Sequence, residues 1–221
     1  MAGRNGHRLA ALLAALIAAP GLAMAHPHQF ITVTGALLLD QAGRLDALKV
    51  TYAMDETESL YIASEFGLDP DGPLTPAQAR MVADAYVEGY EPFGWFAEIQ
   101  EGGAPAPVAR PRRSDARMDD GVLSIDFELP FAAPRRFTAP VEVYLYDPTY
   151  FAAIEWDAAP TILGAGAERC AVTLDRFVPD AAADRLLQAL ALIPPDETPD
   201  DPTVGRRFAD KVEARCGDGV G

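Results

Sequence analysis

The alternation of apolar and polar residues with a period of two constrains the fold more than any other feature of the chain. It begins at Ile31, continues to Tyr52 on either side of a turn at residues 41–44, lapses from Met54 and resumes near Trp95. This pattern is typical of β-strands that bury one face. We therefore predict an α+β fold with an antiparallel, β-rich, sandwich-like core.

The predicted strands account for most of the chain outside one helical segment. The alternation is cleanest at residues 121–129, where Leu123, Ile125 and Phe127 share one face. Residues 101–113 are rich in Gly, Pro and Arg, so we predict a loop there. The full set of predicted strands covers residues 31–40, 45–52, 95–100, 121–129, 141–145, 151–156 and 169–177.

Helical spacing replaces the alternation at residues 56–90, which we predict to be a helix pair inserted after the first hairpin. Thr75, Pro76 and Gln78 have the spacing of an N-cap, an N1 proline and a capping-box glutamine. The segment between the helices has the outline of a calcium loop, but Gly67 and Gln78 occupy its first and last ligand positions. We therefore predict a helix-to-helix connector instead of a calcium site.

Two helices are also predicted near the C-terminus. One begins at Asp180 and ends before a pair of prolines. The other is a short helix in which apolar residues recur every four positions, at Val204, Phe208 and Val212.

The first 25 residues have the features of a secretory signal peptide. Two arginines precede an apolar stretch at residues 9–19, which is too short to span a bilayer, and Ala23-Met24-Ala25 fits a cleavage site. Cleavage after Ala25 leaves residues 26–221, which we interpret as a single exported domain.

Cys170 and Cys216 are the only cysteines of the chain. Because export to an oxidising compartment favours disulfides, we predict a bond between them that ties the C-terminus to the body of the protein. The alternative is two free or separately buried thiols.

Cleavage after Ala25 also places the two remaining histidines, His26 and His28, at positions one and three of the mature chain. The new α-amino group and the His26 imidazole both titrate near neutral pH, so together they can chelate a borderline metal ion. Pro27 favours an extended backbone, which turns His28 to the same side. We predict a site for a divalent transition metal (Zn, Ni, Co or Cu); the competing interpretation is a solvated polar terminus.

Asp147 is a further candidate ligand, because it follows a predicted strand and supplies a carboxylate. It also precedes Pro148, so the competing interpretation is an Asx-type turn residue.

Charge and residue types narrow the range of functions. The chain has 18 basic and 33 acidic residues, a net charge of −15, and removal of Arg4 and Arg8 with the leader makes this −17. Such a charge disfavours nucleic acids and anionic lipids and favours cations. No Ser-His-Asp or Cys-His site can be assembled from a terminal pair of histidines, so we expect a binding protein and not an enzyme.

Several short motifs follow one another along residues 26–216, namely His26-Pro27-His28 with Phe30-Ile31, Met54-Asp55-Glu56, Asp69-Pro70-Asp71-Gly72-Pro73-Leu74-Thr75, Tyr146-Asp147-Pro148-Thr149-Tyr150-Phe151 and the pair Cys170 and Cys216. Their order and spacing resemble a bacterial family of unknown function labelled the periplasmic component of an uncharacterised ABC-type transport system. The resemblance implies a periplasmic accessory of transition-metal transport that works with a membrane permease. Two alternatives stay open: a copper enzyme with an N-terminal histidine, which would need a further histidine from the fold, and a permease partner that binds no metal.

Overall fold

The computed structural model describes residues 27–136, 139–194 and 197–217, and within these ranges eleven β-strands form two sheets. The predicted leader and His26 lie outside the described residues. No helix in the described ranges is long and apolar enough to cross a membrane.

The first sheet has six strands and contains the N-terminal hairpin. Its members are β1 (Gln29–Leu39), β2 (Leu45–Met54), β5 (Arg113–Asp119), β6 (Val122–Arg135), β8 (Ala152–Trp156) and β9 (Thr161–Leu163). The order is β5-β6-β2-β1-β8, and β9 continues beside β1. Strand β1 pairs antiparallel with β2 but parallel with β8 and β9, so this sheet is mixed at one edge.

The second sheet has five strands, all paired antiparallel. Its members are β3 (Ala97–Glu101), β4 (Ala104–Pro105), β7 (Val141–Leu145), β10 (Cys170–Asp175) and β11 (Lys211–Cys216). The order is β10-β11-β7-β3-β4, which places the C-terminal strand between two earlier ones.

One apolar cluster joins the inner faces of both sheets. Val33, Val50 and Phe127 contribute to it from the first sheet, and Val143 and Val212 contribute from the second. These side chains have almost no solvent exposure, and burial of a side chain of this size stabilises the fold by about 1.5–3 kcal/mol. The shared core and the predominantly antiparallel pairing confirm the predicted α+β, sandwich-like architecture.

Three helices lie in the described chain: α1 (Glu56–Phe66), α2 (Pro76–Tyr90) and α3 (Ala181–Leu190). Asp55 caps α1, and Thr75 with Gln78 forms the predicted capping box of α2. Gly67 ends α1 with a φ of 63°, a left-handed conformation that suits glycine. In the connector, the Asp69 carboxylate accepts a hydrogen bond from the Asp71 amide, as in a turn.

Some secondary-structure predictions are wrong. Strands β4, β5 and β9 lie in segments without a predicted strand, and β4 falls inside the predicted loop 101–113. A 3₁₀ helix at Glu91–Phe96 occupies the start of the predicted strand 95–100. A 3₁₀ helix also forms at Val204–Phe208, but Val212 belongs to β11, so the predicted helix through Val212 is wrong.

The predicted disulfide between Cys170 and Cys216 is present. The two cysteines are direct partners in the β10–β11 ladder, and their Cα atoms lie 4.1 Å apart. The bond fastens the C-terminal strand β11 to the edge strand β10, and β11 is paired on its other side with β7.

Candidate functional site

The segment that follows the predicted cleavage site is held firmly at the start of β1. The His28 amide donates a 2.7 Å hydrogen bond to the Phe151 carbonyl, and the rings of these two residues lie 4.8 Å apart. The Phe30 amide donates to the Asp55 carboxylate at 3.0 Å, and the Gln29 side-chain amide donates to the Glu58 carboxylate at 2.7 Å. The start of the described chain is therefore fixed to α1 and to the β7–β8 loop.

Asp147 lies in this β7–β8 loop and is buried. Its Oδ1 accepts hydrogen bonds from the Thr149 amide and hydroxyl at 2.8 and 2.9 Å, and its Oδ2 accepts one from the Ala152 amide at 3.0 Å. These hydrogen bonds form the Asx-type turn, which was the alternative interpretation to a metal-ligand role for Asp147. A carboxylate offers about four lone-pair sites, so one site on Oδ2 is left for a cation.

His28 and Asp147 are attached to the two sides of one peptide group. The Phe151 carbonyl accepts from His28, and the Ala152 amide donates to Asp147. Since C=O and N–H point in opposite directions in a trans peptide, the two residues flank the Phe151–Ala152 link.

The metal-ligating side chains at this end of β1 are of types that transition metals prefer. Of the three predicted ligands, the structure describes His28 and Asp147. His28 is exposed and supplies an imidazole, and Asp147 supplies a carboxylate. Within residues 27–136, 139–194 and 197–217, no group of three His, Cys, Asp or Glu side chains is arranged to hold a metal ion. The roles of His26, His28 and Asp147 as ligands stay predictions.

A cavity of about 620 Å³ opens beside the same segment. It lies between α1 and α2, and the β7–β8 loop closes one side. Its walls are largely aromatic, with rings from both helices, the 3₁₀ helix and the loop: Tyr61, Phe66, Tyr86, Phe93, Phe96 and Phe151. The volume falls in the range of pockets that bind small molecules.

Neighbouring rings hold part of this aromatic wall in place. Tyr86 and Tyr90 meet edge to face with ring centroids 5.1 Å apart, and Phe93 stacks on Phe96 at 5.8 Å. Burial raises the pKa of Tyr86 and of Tyr90 above the ordinary tyrosine range.

Acidic side chains supply all the formal charge among the described residues that line the cavity. These are Glu58, Glu65 and Asp147. Glu58 is half-buried, and this burial raises its pKa; the nearby charge of Asp55 adds to the rise, whereas the hydrogen bond from Gln29 opposes it. The cavity therefore combines apolar walls with negative charge.

Several residues with strained backbone angles lie around this cavity. Phe96 and Tyr150 have φ values of 63° and 59°, and Trp95, next to Phe96, has 52°. Non-glycine residues adopt the left-handed region only at a cost, and such residues cluster at functional sites. Trp95 is fixed there because its indole donates to the Val87 carbonyl at 3.1 Å and its own carbonyl accepts from the Tyr52 hydroxyl at 2.8 Å.

The backbone at Gly205 packs closely against the loop that contains Asp147. A Cβ atom at Gly205 would lie 1.8 Å from the Asp147 carbonyl oxygen, and the Gly205 amide donates to the Pro148 carbonyl at 3.1 Å. We expect Gly205→Ala to displace the loop and to lower the free energy of unfolding by about 2 kcal/mol, the usual cost of overpacking. Urea unfolding at equilibrium measures this change.

The matched control is Gly89→Ala near the end of α2, where an added Cβ meets no atom within 4 Å. Since alanine favours helix, this control should raise stability by up to about 1 kcal/mol. Equal destabilisation by the two substitutions would contradict the role assigned to Gly205.

The sequence predicted His28 and Asp147 but not the cavity between them and the helices. Its aromatic residues come from both helices, the 3₁₀ helix and the β7–β8 loop, and in α2 Tyr86 and Tyr90 have the i, i+4 spacing of an ordinary core-facing stripe. The exposure of Tyr61, Phe93 and Phe151 is what distinguishes them from core residues, and only the folded structure reveals it.

Residues 11–216 match the model of a family described as protein of unknown function, DUF1007. The chain belongs to this family. The match covers all the residues that the structure describes except Gly217. The anchored His28, the Asp147 turn and the aromatic cavity of this DUF1007 chain therefore lie within its family region. No curated protein matches the chain.

Proposed function

We propose that this DUF1007 protein is a periplasmic accessory of transition-metal transport that binds one divalent ion at its mature N-terminus. The ion is held by the α-amino and imidazole nitrogens of His26 and by the imidazole of His28. Asp147 or water completes the shell. The protein acts by binding and handing over the metal, without catalysis.

The anchoring of His28 is the observation that carries this proposal. The His28 amide bonds to the Phe151 carbonyl, and two further hydrogen bonds fix Gln29 and Phe30 to Glu58 and Asp55. A histidine held in this way loses little conformational freedom when it binds an ion, which lowers the entropic cost of binding.

The chemistry of the donors favours late transition metals. Neutral nitrogen ligands select Zn, Ni, Co or Cu over calcium and magnesium. The net charge of −15 adds a long-range attraction for any cation. Protons compete for the same nitrogens, so affinity should fall as the solution is acidified.

The transport role and the permease partner rest on the resemblance of the His26-Pro27-His28, Tyr146–Phe151 and cysteine motifs to a family labelled as a periplasmic transport component. The leader-like first 25 residues and the Cys170–Cys216 bond suit an oxidising, exported location.

Calorimetric titration with Zn, Ni, Co and Cu tests the site directly. The chain that begins at His26 should bind one ion, and His28→Ala should weaken binding by about tenfold, the equivalent of 1.4 kcal/mol. Addition of one glycine before His26 should weaken it more, because the free amine then moves away from the imidazole.

Glu56→Gln is the matched control, since Glu56 is an exposed acidic residue of α1 whose loss changes the net charge without touching the proposed ligands. Its affinity should equal that of the unchanged chain. If the His28 and glycine variants also bind with unchanged affinity, the N-terminus is not the metal site.

A further inference from the structure

We propose that the aromatic cavity between α1 and α2 binds a small organic cation with apolar substituents, of the alkylammonium or quaternary ammonium class. This site is separate from the terminal histidine chelate. It differs from that site in its ligand and in its aromatic walls. Glu58 and Glu65 supply charge to the cavity alone, whereas Asp147 lines the cavity and is also a candidate ligand of the chelate.

The aromatic walls are the first reason. Tyr61, Tyr86, Phe93 and Phe151 bring ring surfaces to a space of about 620 Å³. The face of an aromatic ring carries partial negative charge and attracts a cation placed within about 6 Å of the ring centroid. Rings arranged around one space are the usual receptor for methylated ammonium groups, which bring apolar surface and positive charge together.

The charge of the lining is the second reason. Glu58, Glu65 and Asp147 line the cavity, and no Lys, Arg or His is among the described lining residues. An anionic ligand would meet repulsion there, whereas a cation would gain an attraction to the carboxylates that a neutral ligand cannot gain. A cation is the ligand that satisfies both the rings and the carboxylates.

Glu58 is the most specific part of this argument. Its carboxylate is half-buried and accepts one hydrogen bond, from the neutral side chain of Gln29. It takes part in no ion pair within the described residues, although it lies on the cavity wall. A partly desolvated carboxylate with a neutral partner gains more from a bound cation than an exposed carboxylate does.

The walls are already in position before any ligand arrives. Tyr86 is supported by Tyr90, Phe93 by Phe96, and Phe151 by the ring of His28. Since binding does not have to order these rings, less affinity is lost to conformational entropy.

Choline is the probe, and 3,3-dimethylbutan-1-ol is its neutral counterpart, in which carbon replaces the ammonium nitrogen. Both are titrated by NMR or calorimetry into the chain that begins at His26, with EDTA present so that no metal occupies the terminus. We expect choline to bind at least tenfold more tightly than the alcohol. Equal affinity for the two would overturn the proposal, because it would show an apolar groove without preference for a cation.

Glu58→Gln and Glu56→Gln form the matched pair of variants. Both remove one negative charge from the first turn of α1, so their effects on the helix dipole are alike, but only Glu58 lines the cavity. We expect choline affinity to fall at least fivefold in Glu58→Gln and to change less than twofold in Glu56→Gln. An equal change in the two, or no binding of choline by the unchanged chain, would refute the site.

A thermal melt of each variant checks that the fold is intact. The chain with one glycine added before His26 serves as a further check, since it displaces the proposed amine ligand and leaves both the His28 ring that supports Phe151 and the carboxylates of the cavity in place. Choline affinity that survives in this extended chain while metal affinity falls would support two separate sites. Loss of choline binding in that variant would contradict their separation.

Discussion

Replacing Asp210 with alanine is expected to lower the free energy of unfolding by about 3 kcal/mol. Asp210 is buried, and its carboxylate accepts hydrogen bonds from the Phe177 amide at 2.8 Å, the Trp156 amide at 3.2 Å and the Arg176 guanidinium at 3.1 Å. Alanine would leave two backbone N–H groups without their acceptor, and each unsatisfied buried group costs about 1–3 kcal/mol. Urea unfolding at equilibrium measures the loss.

Asp175→Ala is the control for this substitution. The Asp175 carboxylate also takes part in an ion pair, at 3.3 Å from the Lys211 ammonium, but its side chain is 63 % exposed, whereas that of Asp210 is 7 % exposed. Exposed pairs contribute about 0–1 kcal/mol, so this control should change stability little. If the two variants unfold at the same urea concentration, the buried carboxylate does not have the role assigned to it.

The position of Asp210 explains why one side chain has so large an expected effect. It directly precedes β11 of the second sheet and bonds to Trp156 at the end of β8 in the first sheet. It also bonds to the segment just after β10 through Phe177. Asp210 therefore links both sheets at one end of the sandwich. Nothing in the sequence marks it out from the other aspartates, because its partners are distant in the chain.

The parts of the fold with a strong local signal were predictable. Alternation in β1, β2, β6 and β7 identified the strands because one face of each is buried in the common core. Thr75 and Gln78 identified the start of α2 because a capping box is a local arrangement of side chain and backbone. The disulfide was predictable because the chain has two cysteines and a leader-like start.

The elements that depend on tertiary contacts were missed. Strand β5 buries Ala116 and Met118 between charged residues, and Arg117 reaches Asp126 of β6, a pairing that the local pattern does not reveal. Strand β9 has three residues and exists because it pairs with β1. At the C-terminus, Val212 fits both helical spacing from Phe208 and strand alternation with Ala214. It lies in a strand because this segment pairs with β10 and β7.

The candidate site was also predictable only in part. The sequence drew attention to His28 and Asp147 because histidines and carboxylates are ligands by residue type. It also offered the Asx-type turn of Asp147 as the competing interpretation, and that turn is present. It did not show that the Phe151–Ala152 peptide joins the two residues. The cavity beside them was missed because its walls come from α1, from the continuous stretch of α2 and the 3₁₀ helix, and from the β7–β8 loop, which meet only in the folded protein.

Removing the disulfide by the double substitution Cys170→Ser and Cys216→Ser is expected to lower the free energy of unfolding by about 4 kcal/mol, the loop-entropy value for the 46-residue separation of the two cysteines. The bond restricts the unfolded chain, so its loss favours unfolding by restoring conformational freedom. Urea unfolding of the oxidised chain and the double variant measures the difference. The double variant is preferred to a single one because a lone thiol can form bonds between molecules.

The native fold should survive this substitution, because β11 is paired on both sides, with β10 and with β7. Val212 and Ala214 are also fully buried in the shared core. Far-ultraviolet circular dichroism of the double variant should therefore match that of the oxidised chain. Its free energy of unfolding should fall more steeply with urea concentration, because the unfolded chain without the bond exposes more surface.

The unchanged chain under reducing conditions is the control and should unfold like the double variant. A double variant that unfolds at the same urea concentration as the oxidised chain would show that the bond contributes no stability; a collapse of the native spectrum would show that it acts on the folded state instead.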